Sequence, residues 1–362
     1  MNFENRFIKE TGLTGVIETF VVENVDSSIH IKTIGYSISG QPIHLMRIGH
    51  GAVKILMWSQ MHGNESTGTR ALLSLIEQQV IDRYQEVFTL YIIPILNPDG
   101  ALLWSRVNQA GVDLNRDAVN LSQPESQILM QQYQYIKPDY CFNLHDQRTF
   151  YGTDCGGKPI GLSFLAAAFN LARDYNTVRK ITAGIIGGVS INPLLNASQT
   201  VGRYSDDFNV NCFGDYLIKD DCPTILFEAG QGTLDYNRSE STRLVKIALT
   251  STLDIIASKS FNQETVENYI RLPLVEKSFT DILLINVPAV GGKRVNLAVM
   301  YHEEVRDGTL YFIPFVVGVN AKEILNGLRK MDCQSLDCET LDINIDHDGF
   351  IFSNQLNINI FS

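Results

Sequence analysis

Residues 58–76, WSQMHGNESTGTRALLSLI, pass from apolar residues into His62-Gly63-Asn64-Glu65 and then into a helical pattern. An imidazole and a carboxylate three residues apart, where a strand gives way to a helix, admit two readings. One is a helix start, with Ser66 or Thr67 capping and Glu65 near the positive helix end. The other is half of a metal site. The stretch alone leaves both open, because pairs of this kind arise readily by chance.

Working outward, residues 17–60 read as β structure. Their apolar runs break at Ser39-Gly40-Gln41-Pro42 and at Gly49-His50-Gly51, as hairpin turns would break them. Leu72, Leu73, Leu75, Ile76 and Val80 carry helical spacing across 67–83. FTLYIIPILNPDG (88–100) reads as a buried strand entering a Pro-Asp-Gly turn. PESQILMQQYQYIKP (124–138) reads as a helix with Pro124 near its start, followed by the strand DYCFNLH (139–145). A helix is expected at about 161–176, a strand over PTILFEAG (223–230) and a long amphipathic helix over 239–260.

Strands alternating with helices predict an α/β fold with its sheet covered on both faces. His62, Asn97, His145 and Glu228 all fall at or just beyond the C-terminal ends of expected strands. Those ends border the ligand crevice of an open α/β sheet. After about residue 262 the texture changes to strands joined by Gly-containing turns, which predicts a catalytic region over 1–262 and a small β-rich C-terminal domain over 263–362.

The 362 residues exceed the size at which single cores usually stop growing, in keeping with two domains. A net charge of −11 argues against a nucleic-acid-binding surface. No apolar run approaches the ~20 residues needed to span a bilayer, and the N-terminus lacks the pattern of a secretory signal. Six scattered cysteines without a CxxC pair read as free thiols of a reducing cytoplasm. Any metal is therefore expected on imidazole and carboxylate.

Further motifs give the first stretch its context: NPDG at 97–100, Arg106, Asp113-Leu114-Asn115-Arg116, His145 and the late Glu228. Together with the HxxE of His62 and Glu65, this series resembles the zinc carboxypeptidase family, over roughly residues 20–260. The resemblance implies a mixed, mostly parallel central sheet flanked by helices and one zinc ion held by His62, Glu65 and His145. Two neutral nitrogens and one carboxylate leave such an ion one positive charge and an open position for water. Glu228 matches the family's general base, and Arg106 the cation that steadies the developing oxyanion. Asn115 and Arg116 match the pair that holds the substrate's terminal carboxylate, where a guanidinium fork fits two oxygens. Asp113 matches the acid that orients the first zinc histidine.

The family's mobile tyrosine, which closes over substrate, has two candidates, Tyr204 and Tyr216. Tyr204 is preferred because TVGRYSDDFN looks like a flexible loop. Asp146 reads as a surface position or a participant. Apolar Ile225-Leu226-Phe227 is expected to desolvate Glu228 and raise its pKa. His30, His44 and His50 read as partly exposed strand or turn residues, and His302 and His347 as bystanders. NIDHDG (344–349) reads as a hairpin turn, since the twelfth position from Asn344 is Gln355 and not the glutamate a calcium loop requires. GIIGGV (184–189) lacks the context of a phosphate cradle, and Asp206 and Asp207 read as a solvated loop in preference to the lining of a pocket for a basic side chain.

The implied activity is hydrolysis of an amide bond next to a free carboxylate, on a peptide or acyl-amino-acid substrate. Two alternatives accompany it: an N-acyl amino acid deacylase of the aspartoacylase or succinylglutamate desuccinylase kind, and a non-catalytic binding protein of the same fold.

Overall fold

A computed structural model describes residues 6–7, 29–148, 150–153, 158–196, 200–232, 235–288, 293–320, 326–334, 343–346 and 349–352. The chain forms two compact units, one from residues 1–148 with 160–275, the other from 149–159 with 276–362.

The first unit is built in the order β1 (Ile29–Tyr36), β2 (Pro42–Ile48), β3 (Val53–Trp58), α1 (Thr67–Glu77), β4 (Phe88–Ile93), α2 (Pro98–Leu102), α3 (Pro124–Ile136) and β5 (Tyr140–Asp146). A short strand of the second unit, β6 (Phe150–Thr153), follows in sequence. The first unit then resumes with β7 (Ile160–Ala166), α4 (Thr177–Ser190), α5 (Pro193–Asn196), β8 (Thr200–Arg203), α6 (Phe213–Lys219), β9 (Thr224–Ala229), α7 (Ser239–Ser258) and α8 (Gln263–Arg271). Its eight strands form one mixed sheet, β1-β2-β4-β3-β5-β9-β7-β8. The central run β4-β3-β5-β9 is parallel throughout.

From β3 the chain moves to one neighbour, β4, and then returns to the other, β5. This is the reversal of strand order at which an open sheet offers a crevice. His62 follows β3 and His145 lies near the end of β5, so both stand at the reversal.

Alternation along the strands separates two cores. Ile55, Met57, Phe142, Leu144, Ile225 and Phe227 pack with Leu72, Leu73, Leu75 and Ile76 of α1 and the apolar faces of α4 and α7. Leu56, Trp58 and Cys141 face the other way, against Ile128 and Leu129 of α3 and Phe213 and Leu217 of α6. Each fully buried Leu or Ile contributes about 1.5–3 kcal/mol relative to exposure. Both faces are thus covered, which is why the central strands read as continuous apolar runs. The same parity turns His145 and Glu228 toward the α3/α6 face.

Two expectations are corrected. Residues 161–176 do not form a helix: Ile160–Ala166 is a strand, followed by an irregular segment, and the helix begins at Thr177. All but one residue of β7 is buried, and a short apolar run buried on both sides carries no periodicity to tell strand from helix. Gly49-His50-Gly51 is not a hairpin turn, because β4 lies between β2 and β3. The backbone N–H groups of His50 and Gly51 bond to the Gln85 carbonyl instead. The Ser37–Gln41 connection does join paired antiparallel strands. GIIGGV lies within α4.

The second unit is a sheet in the order β12-β11-β10-β13, with β6 also paired to β10, plus a separate antiparallel pair. The strands are β10 (Val275–Pro288), β11 (Arg294–Arg306), β12 (Thr309–Val319) and β13 (Asn326–Asp332), and the separate pair is β14 (Ile343–Asp346) with β15 (Gly349–Phe352). Between β11 and β12, Asp307 and Gly308 have φ of 50° and 69°. Two successive positive φ values are the signature of the two-residue turn whose twist matches a hairpin. Ile282, Leu284, Leu297, Val299 and Val316 form its core. Asp346 pairs with Gly349, while His347 and Asp348 between them, like residues 17–28 of the expected N-terminal β region, lie outside the described residues.

Candidate metal centre

The segment after β3 is held open by a second segment, after β4. Asn97 N–H donates to the Gln60 carbonyl at 3.0 Å, and its side-chain amide donates to the Met61 carbonyl at 3.2 Å. The same side chain caps α2, accepting from Gly100 N–H at 2.9 Å. Gln60 in turn donates to the Gly63 carbonyl at 2.7 Å. At Gly63 a Cβ would stand 1.9 Å from the Gly100 carbonyl carbon. His62-Gly63-Asn64-Glu65 and Asn97–Gly100 therefore meet backbone to backbone, and a glycine is required where they touch.

His62, Glu65 and His145 converge, one ligand atom of each lying within 4.8 Å of the others, and all three residues are buried. The Nδ1 atoms of the two histidines are 3.1 Å apart. Glu65 Oε1 lies 3.0 Å from His62 Nδ1 and Glu65 Oε2 2.9 Å from His145 Nδ1. A tetrahedral zinc with bonds of about 2.0–2.1 Å sets its ligand atoms about 3.3 Å apart. The imidazole–imidazole separation and the distance from each imidazole to its nearer Glu65 oxygen are within a few tenths of an ångström of that edge, so the spacing of the donors is of the size a zinc ion needs. A borderline-soft divalent ion suits two imidazoles and a carboxylate.

With Nδ1 of His62 turned inward, its Nε2 faces Asp113 Oδ1 at 2.9 Å. A carboxylate on the outer nitrogen fixes the tautomer and sharpens ligand geometry. Burial pushes the His62 imidazole down, but Glu65 and Asp113 outweigh it and the net shift is upward. Burial alone would raise Glu65, yet the two imidazoles hold its carboxyl well below the usual range. His145 is lowered, burial outweighing Glu65. The centre thus holds carboxylate charge poised against imidazole nitrogens, the arrangement a cation would occupy.

Arg106 brings its guanidinium to the rim, 3.3 Å from Glu65 Oε1 and 3.1 Å from Asp113 Oδ2, with its side chain 45% exposed. Asn115 sits by the other histidine. Its Nδ2 is 3.5 Å from His145 Nε2, while its Oδ1 accepts from Phe213 N–H at 3.1 Å, tying the segment to the start of α6. Arg116 donates to the Asn115 carbonyl at 2.7 Å and to Cys212 Sγ at 3.1 Å. Glu228 pairs in register with His145 across β5 and β9. Burial first, and then the charges of Glu65 and Asp146, push its carboxyl well above the usual carboxylate range.

Tyr204 leads out of β8, its N–H donating to the Phe164 carbonyl at 2.9 Å. By strand register Phe164 is one position beyond Ser163, the partner of Glu228. Tyr216 lies on α6 and packs against the α3/α6 core. The Asp206 carboxylate after Tyr204 is not simply solvated, because the fully buried Arg179 and also Arg173 pair with it. His44 is buried rather than partly exposed, with 8% exposure.

Asp146 is not a surface residue: it retains 3% exposure. Its N–H donates to Glu65 Oε2 at 3.1 Å. Its Oδ2 accepts from the Thr67 hydroxyl at 2.6 Å and from Thr67 N–H at 3.3 Å. Thr67 opens α1, and Ser66 before it makes no side-chain cap bond, its hydroxyl donating instead to the Arg6 carbonyl. The helix start is therefore capped from another strand, by a carboxylate at the end where the helix dipole favours negative charge. The buried Arg238 stands 3.5 Å from Asp146 Oδ2. Sequence reading misses Gln60 and Arg238, because neither is a metal-ligand or acid–base residue type in a motif, and it offers Thr67 as a capping residue where the structure makes it the residue capped by the remote Asp146.

A family model described as zinc carboxypeptidase matches residues 20–145. Carboxypeptidase SOL1 of Arabidopsis thaliana is 27% identical over 211 residues, 47% of this chain and 42% of that protein, so the match spans less than half of that relative's length. Among solved structures, a metallo-carboxypeptidase from Burkholderia cenocepacia superposes with a TM-score of 0.54 at 18% identity, over 68% of this chain and 69% of the other. Carboxypeptidase A from Helicoverpa armigera gives 0.55 at 16% identity, over 71% and 75%. At these identities the superpositions establish the fold. In sequence over residues 20–145, and in fold over about 70% of its length, this chain is similar to the zinc carboxypeptidases.

Proposed function

We propose that this chain is a zinc-dependent carboxypeptidase, cleaving an amide bond next to a free carboxylate. The observation that carries the reading is the convergence of His62, Glu65 and His145, one ligand atom of each lying within 4.8 Å of the others, with Glu228 in register beside His145. One zinc ion held by these three residues would supply Lewis acidity toward a water and a carbonyl oxygen. The chain's own residues then divide the work. Glu228 takes a proton from the attacking water on its carboxylate oxygen and returns it to the nitrogen of the departing amine. Arg106 directs its guanidinium at the carbonyl oxygen as negative charge develops there, a donor already in position before reaction. Asn115 and Arg116 bind the terminal carboxylate, Arg116 with two parallel hydrogen bonds, and so select substrates cleaved at the last residue. Asp113 holds His62 in the tautomer that leaves Nδ1 free to coordinate. Closure over substrate falls to Tyr204.

A cytoplasmic setting accords with the free thiols of Cys141, Cys212, Cys222 and Cys333. Among the described residues no helix is long and apolar enough to cross a membrane.

The test is an assay of zinc-loaded protein on short peptides, on the same peptides with amidated C-termini, and on N-acyl amino acids. Release of the C-terminal residue from free-acid peptides alone supports the reading. Turnover confined to N-acyl amino acids would make the chain a deacylase, and no turnover of either class a binding protein.

A further inference from the structure

Three chain segments deliver the proposed site: 62–67 with two ligands, 145–147 with the third, and 228–230 with the base. Asp146 and Arg238 bond to all three. The Asp146 N–H reaches Glu65 and its carboxylate reaches Thr67. Arg238 donates to the Ala229 carbonyl at 3.2 Å and to the Gln147 carbonyl. The two side chains meet at 3.5 Å, 1% and 2% exposed. The pair therefore spans from the start of α1, through the end of β5, to the end of β9.

Stability gives a poor account of this pair. A buried ion pair repays its desolvation only when the remaining donors and acceptors are also satisfied. Here Asp146 Oδ1 and Arg238 Nε are buried with no hydrogen-bond partner among the described residues. Apolar side chains of similar volume would serve the core as well or better. What they could not supply is directional bonds to three separate segments.

We propose that Asp146 and Arg238 are positioning residues, a buried clamp that fixes the distance between the ligand-bearing segments and Glu228. The proposal rests on the metal reading above. Neither residue touches substrate. Their effect passes through Glu65, which precedes the helix start that the Asp146 carboxylate caps at Thr67, and through Glu228, whose strand end is tied by Arg238. The Asp146 N–H to Glu65 bond is backbone and survives any replacement there.

The experiment measures zinc affinity by competition with a chromogenic chelator, the visible absorption of the cobalt(II)-substituted protein, and the thermal midpoint of the zinc-free protein. The decisive variant is the double replacement Asp146→Leu with Arg238→Met. It is expected to keep a thermal midpoint within a few degrees of wild type while zinc binds about 10–100-fold more weakly, the usual cost of losing residues that hold ligands in place, and the cobalt spectrum shifts. Thr67→Val asks the same question without disturbing a buried charge: a severalfold loss of zinc affinity is expected, with Thr67→Ser restoring it. Wild-type zinc affinity and cobalt spectrum in the double variant, or in Thr67→Val, would overturn the clamp. A wild-type chain that binds no zinc would sink the metal reading itself, so the two failures are distinguishable.

Discussion

His145 and Glu228 occupy one register position on neighbouring parallel strands, and strand parity sends both side chains to the same face of the sheet. An imidazole and a carboxyl are thus delivered side by side from positions 83 residues apart. Glu228→Gln keeps the shape of the side chain and removes its ability to take a proton. The expected outcome is a loss of kcat of about 10²–10⁴-fold, with zinc content by elemental analysis equal to wild type. Activity within a factor of a few of wild type would remove Glu228 from the chemistry.

Arg116 is steered by the Asn115 carbonyl and Cys212 Sγ. Lysine keeps the charge but cannot present two parallel donors to a carboxylate. For Arg116→Lys, KM on free-acid peptides should rise about tenfold or more while kcat changes little, the pattern of lost uniform binding. The discrimination against amidated peptides should shrink with it. An unchanged KM would place the terminal carboxylate elsewhere.

The legible parts of this molecule were those written in local pattern. The apolar runs of β3, β5 and β9 announced a covered parallel sheet, and strand-end polar residues announced its crevice. β7 reads as part of a helix because burial on both faces erases periodicity. The β2–β4 pairing was missed because its partner enters from forty residues downstream, and nothing near Gly49 records it. The same limit explains the clamp. His62 and Glu65 lie three apart and stand out, whereas Asp146 and Arg238 are remote, and an isolated arginine reads as a surface residue.

Asp215 on α6 is 6% exposed and accepts from Asn209 N–H at 2.9 Å. Burial, opposed by that hydrogen bond and by Arg116, pushes its carboxyl up to about 6 from 3.8. The folded state therefore binds more protons than the unfolded state between these values. Stability from this group is fully present below about pH 4 and is lost as pH rises through 6, a change on the order of 2–3 kcal/mol. Urea unfolding of zinc-free wild type and Asp215→Asn should show the variant gaining on wild type from pH 4 to 7. A constant difference, or one of opposite slope, would contradict the assignment.

Gly63→Ala places a methyl group 1.9 Å from the Gly100 carbonyl carbon. Backbone cannot yield as a side chain can, so a loss of at least 1–3 kcal/mol is expected, read as a lowered thermal midpoint. Zinc affinity should fall with it, since His62 and Glu65 flank the displaced peptide. A variant as stable as wild type would mean that the two segments do not meet as described.

The central claim is that two histidines and a glutamate share one divalent ion. Crystals of zinc-loaded protein, with diffraction recorded on both sides of the zinc absorption edge, test it directly. The account predicts a single anomalous peak per chain in the first unit, about 2.0–2.2 Å from His62 Nδ1, a Glu65 carboxylate oxygen and His145 Nδ1. A peak ligated by other residues, or none at that point in protein saturated with zinc, would contradict it.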